Sequence, residues 1–197
     1  MLFVGVGALG SVDGEKVRQA GAVSATALKI EKSKGGAISV DQFSTKEIQE
    51  NSADYIEAFA QGYCLAGYQY EKYTGIKDSK PKSDPAPLVL VGRNAKEQTE
   101  LKGIAKKVDA MSVAVSITRD WSNEPSNTGI PDWYVAQAKK IGKEHGLKIR
   151  VLETKELRKE RMNLLLAVSQ GSDHIARVVV AEYTPKKSKS GQKSAKK

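Results

Sequence analysis

Apolar and polar positions along the chain switch repeatedly between a period of two and a period near 3.6. That alternation predicts strands interleaved with helices. LFVGVG (2–7) is apolar and β-branched, which predicts a core strand with glycines after it. Ala20, Val23, Ala27 and Ile30 then recur at helical spacing, predicting a helix from about Gly14 to Glu31. Gly35-Gly36 closes that unit, and AISVDQF (37–43) alternates as a strand. Asn51 or Ser52 can cap a second helix, on which Ile56, Phe59, Tyr63, Ala66 and Tyr70 form one apolar stripe. TGIKDSKPKSDPAP (74–87) is a polar, proline-punctuated surface excursion, and PLVLVGR (87–93) returns as a buried strand. Leu101, Ile104, Val108, Met111 and Val115 mark a long helix to about Asp120, long enough to bridge two domains.

The second half repeats the alternation. Pro131 is placed for the first turn of a helix carrying Tyr134, Ala138 and Ile141 on one side, with Gly146 to close it. LKIRVLE (147–153) predicts a strand, and Thr154 a cap for a short helix through Met162. LLLAV (164–168) fits a strand or a helix equally, whereas RVVVAEY (177–183) reads as a strand. Strand–helix alternation of this kind predicts a layered α/β architecture with largely parallel or mixed sheets. Between the halves lies a polar loop crowded with Asn123, Glu124, Pro125, Asn127 and Pro131, which can continue neither helix.

Charge changes the picture only at one end. Of the net +9, six lysines lie in PKKSKSGQKSAKK (185–197), leaving about +3 on the body. A nearly balanced body is not the footprint of a nucleic-acid-binding domain. The tail lacks apolar residues and is compositionally a disordered segment. No stretch is long and apolar enough to span a bilayer, no signal-peptide pattern opens the chain, and Cys64 has no second cysteine to pair with. These features predict a cytoplasmic protein.

Candidate chemistry is sparse. Gly5-Val6-Gly7-Ala8-Leu9-Gly10 spells a dinucleotide-binding G-x-G-x-x-G. Ser11 to Gly14 delays the helix past the position where a phosphate would meet it, and Glu31 falls at a helix end rather than after a second strand. His145 and His174 have no ligand partner at helical spacing, so both read as structural or solvent-facing. Ser169-Gln170-Gly171-Ser172 is not a nucleophile elbow. Tyr63 and Tyr70 sit at core spacing rather than as a base-stacking platform. The residues alone yield no catalytic, cofactor-binding or metal-ligating residue.

The central stretch adds a resemblance. RDWSNEPSNTGIPDWYVAQAKKIGKEHGLKIRVLE, followed by LRKERMNLLLAVSQGSDHIARVVVAEY, is similar to the entry of the catalytic domain of the leucyl (cytosol) aminopeptidases. Arg119, Asp120, Asn123, Pro125, Asn127 and Pro131 match that family's R-D-L-x-N-x-P-x-N loop and helix start. Leu165, Ala167, Val168, Gln170, Gly171, Ser172, Glu182 and Tyr183 match its L-L-A-V-x-Q-G-S and E-Y segments. EAFAQGYCLAGYQYEKYT and LFVGVG resemble an upstream helix and strand of the same family. Trp121 stands where leucine is usual, and Gly129-Ile130 replaces the usual pair before the proline.

The resemblance implies a macro-like N-terminal domain (1–95), a connecting helix (96–122), the start of an α/β catalytic domain (123–184) and the lysine tail (185–197). It also implies a metalloexopeptidase that removes N-terminal residues, leucine preferred, as a homo-hexamer holding two divalent ions, zinc or manganese. The family's ligand motifs, V-G-K-G-x-x-x-D-S/T-G-G and N-T-D-A-E-G-R, do not occur in this sequence. The expectation is therefore that the chain has no turnover alone. The competing expectation is a non-enzymatic module that binds nucleic acid through the tail or the N-terminal domain.

Overall fold

The computed structural model describes residues 1–43, 52–73 and 86–185. They form two compact units, Met1–Asn123 and Glu124 onward, each with its own small sheet. The mixed α/β class expected from the alternation is what the chain adopts.

The first unit is built on two helices and a parallel strand pair. Helix α1 (Gly14–Ile30) starts where Asp13 caps it, its carboxylate accepting from Lys16 N at 2.8 Å. It buries Val17, Ala20, Gly21, Ser24 and Ala25 against α2 (Ser52–Ala66). The crossing is close because glycines face backbone. A Cβ on Gly21 would meet the Phe59 carbonyl, and one on Gly62 would meet the Arg18 carbonyl. Strand β1 (Gly36–Ser39) pairs in parallel with β2 (Leu88–Val91), Gly36 opposite Leu88. Helix α3 (Ala95–Asn123) is 29 residues, about 43 Å at 1.5 Å per residue. Asn94 Oδ1 accepts from Glu97 N (3.0 Å) and Glu97 accepts from Arg93 N (2.9 Å), so its start is held by reciprocal caps. Leu101, Ile104 and Val108 then pack with Val40, Ile56 and Ala60 in a second core cluster.

The second unit opens with α4 (Pro131–His145), whose first residue is the proline and which Gly146 ends in the left-handed region at φ 68°. Strand β3 (Lys148–Leu152) pairs antiparallel with β4 (Val178–Glu182). Between them run α5 (Thr154–Lys159) and α6 (Asn163–Ser169). One face of this sheet lies under α4, where Gly142 meets the Ile149 side chain.

Several expectations are corrected. LFVGVG forms no strand: Gly7 turns to φ 87°, and a 3₁₀ turn follows at Leu9–Ser11. Its alternation survives in the side chains, since Val4 and Val6 pack against the α1–α2 core while Met1 and Phe3 are exposed. The 37–43 strand stops at Ser39, and Val40–Phe43 coils into a 3₁₀ turn. The 88–91 strand is only half-buried, through Leu88 and Leu90 on one face, with Val89 and Val91 exposed. Tyr70 lies beyond the end of α2, and α3 continues to Asn123.

Glu153, not Thr154, caps α5, with Glu156 Oε2 accepting from Glu153 N at 3.2 Å. That helix ends at Lys159, because Arg161 turns left-handed at φ 56°. LLLAV is helical, in α6. One described strand pair is parallel and the other antiparallel, since the two short helices bring the chain back rather than across. The Asn51 cap and most of the 74–87 excursion lie outside the described residues.

Candidate functional site

Three of the six residues that match the family's loop and helix start converge on one tyrosine. Arg119, Asp120 and Asn123 occupy the last turn of α3, and Tyr68 stands just past the end of α2. The Tyr68 hydroxyl donates to Asp120 Oδ1 (2.9 Å) and accepts from Asn123 Nδ2 (3.0 Å). Arg119 lays its guanidinium 5.2 Å from the Tyr68 ring centroid and donates from Nη1 to the Leu65 carbonyl at 3.0 Å. That carbonyl belongs to the last turn of α2, where no intrahelical donor remains, so the cation acts as a cap. Burial pushes the Tyr68 phenol above its ordinary value, and the Asp120 carboxylate adds to this against the donation from Asn123. A phenol so held stays protonated at neutral pH. The cluster is a latch that fixes the exit of α3.

Beyond the latch the chain turns sharply. The Pro125 carbonyl accepts from both Thr128 N and Gly129 N at 2.8 Å, and extended Ile130 then delivers Pro131 to the first turn of α4. Asn127 is exposed in this turn. Within the second unit, Arg177 joins α4 to the sheet. Its Nε donates to Asp132 Oδ1 at 3.0 Å, and its Nη1 lies 3.6 Å from Glu153 Oε1. The Arg177 side chain is only 14% exposed, so it holds β4 beside the first turn of α4. The bonding roles of Tyr68 and Arg177 carry no motif in the sequence. The only available signals were the tyrosine beside an expected helix end and the lone cation before the valines of β4.

The remaining candidates stay apart. Gly5, Gly7 and Gly10 follow no strand, and the helix start beyond them already carries the Asp13 carboxylate, which disfavours an anion there. His145 and His174 are exposed, and His174 N donates to Ser172 Oγ at 3.1 Å. Burial pushes the half-buried Cys64 thiol upward, away from the reactive thiolate. Tyr63 is buried in the core and donates to the Ala86 carbonyl at 2.7 Å. A cavity of about 700 Å³ between residues 1–6, α1 and β1 is lined mostly by apolar groups, with Ser24 and Tyr63 as its buried hydroxyl-bearing residues. It provides volume without a reactive group. Among the described residues no three His, Cys, Asp or Glu side chains converge. The donor set therefore does not fit the metal pair of the resembled family. No helix among them is long and apolar enough to cross a membrane.

Comparison with known proteins gives a consistent picture. Residues 1–77 match the model of the cytosol aminopeptidase family N-terminal domain, and residues 116–195 match that of the family's catalytic domain. A probable cytosol aminopeptidase of Desulfotalea psychrophila is 34% identical over 140 residues, 68% of this chain and 27% of its own length. One from Clostridium perfringens is 25% identical over 198 residues, 99% of this chain and 38% of its own. In fold, the chain is similar to the bottromycin maturation enzyme BotP in complex with Mn (TM-score 0.71, 23% identity, 92% of this chain and 36% of that one). It is also similar to a mutant tomato leucine aminopeptidase (TM-score 0.71, 19% identity, 89% and 34%). The chain thus spans between a quarter and two fifths of the length of these relatives. The two domain matches occur in order on one polypeptide and together take in most of it: the chain belongs to the cytosol aminopeptidase family.

Proposed function

We propose that this chain carries most of the N-terminal domain and the start of the catalytic domain of a cytoplasmic metalloaminopeptidase. The enzyme releases N-terminal residues from peptides, leucine preferred, and assembles as a hexamer. The observation that carries this reading is the tandem order of the two domain matches, residues 1–77 and then 116–195. In this reading residues 1–95 form the N-terminal domain, 96–122 the connecting helix and 123–184 the opening of the catalytic domain. The Tyr68 latch holds the last turn of the connecting helix. No catalytic residue is assigned within these 197.

Two divalent ions would polarise the scissile carbonyl and supply the attacking water. The manganese in BotP, a fold relative, supports that requirement. Because the described residues do not gather the ligands, the 197-residue chain alone is expected to leave leucine p-nitroanilide uncleaved with manganese or zinc. A chimera tests the activity: the chain through Tyr183, joined to the part of the Clostridium perfringens relative that follows the counterpart of Tyr183. It should release p-nitroaniline in a metal-dependent way, fastest from the leucine substrate. Turnover by the chain alone overturns the inactivity, and a folded but inert chimera overturns the peptidase assignment.

The second reading, a nucleic-acid-binding module, rests on the six lysines of residues 186–197. It requires DNA affinity that falls steeply with salt; loss of that affinity in a chain ending at Thr184 assigns it to the tail, and its persistence assigns it to the N-terminal domain.

A further inference from the structure

We draw no further inference here: the strongest candidate, the apolar cavity between residues 1–6, α1 and β1, has both of its buried hydroxyls already bonded, Ser24 to the Ala20 carbonyl and Tyr63 to the Ala86 carbonyl, and nothing in the structure shows what covers it.

Discussion

The two units differ in how much of themselves they bury. Among the described residues, twelve of the fourteen buried apolar ones, from Val17 to Val108, belong to the first unit, and only Leu152 and Leu157 to the second. The first closes a core between α1, α2 and α3, with Tyr63 at 1% and Val108 at 2% exposure. The second covers one face of a two-stranded sheet with α4 and leaves α6 in solvent. A pair of strands gains independent stability only when further strands or helices bury its apolar face. Stability should therefore be unequal, and each unit carries its own reporter: Trp121 in α3 and Trp133 in α4 are the only tryptophans.

The largest expected effect comes from the α1–α2 crossing. Gly62→Ala would drive a methyl into the Arg18 carbonyl, and overpacking against backbone costs about 3 kcal/mol. In a Trp133→Phe background, urea unfolding followed at Trp121 should shift to much lower urea. The Trp133 transition, read in a Trp121→Phe background, should stay in place. Equal shifts at both tryptophans would show that the units unfold as one.

A smaller loss is expected from Tyr68→Phe. It removes the bonds to Asp120 and Asn123 but keeps the ring under Arg119, at a cost of about 1–2 kcal/mol. The loss should appear at Trp121, one residue from Asp120, and be absent at Trp133. If Tyr68→Phe melts like the parent, the latch contributes nothing to holding the last turn of α3.

The smallest effect is alkaline. Burial raises the Tyr63 phenol and the Cys64 thiol, and the Tyr68 phenol is raised as well, all in the first unit. Each group binds its proton more tightly folded than unfolded. Its contribution is therefore complete below its ordinary range and is lost as pH rises through the folded value. The Trp121 melting temperature should hold steady to about pH 9 and decline beyond it. Tyr68→Phe should flatten part of that decline. A melting temperature that rises above pH 9 would contradict the burial of these groups.

Much of this fold was legible in the sequence because its signals are local. The extent of α1 follows from apolar periodicity, and the ends of α4 from Pro131 and Gly146, each acting within a turn of its own position. The core role of Tyr63 followed from spacing alone. What was missed depends on partners distant in sequence. LFVGVG has strand composition, yet a strand requires a hydrogen-bonding neighbour, and Gly7 turns the chain away before one is met. LLLAV was ambiguous because five apolar residues suit either period, and it folds as part of α6. The site divides in the same way. Arg119, Asp120 and Asn123 were recognisable as a pattern, whereas their convergence on Tyr68, more than fifty positions away, was not.

By itself, then, the sequence determined the family, the alternating α/β class and the ends of the best-capped helices, because motif identity, periodicity and capping are properties of neighbouring residues. Only the tertiary structure decided that Tyr68 latches the end of α3, that Arg177 holds β4 beside α4, and that the second sheet is antiparallel. It alone also decided that the apolar side of α6 faces solvent. These depend on which distant groups meet and how much surface they cover, and burial of that kind cannot be read along one chain.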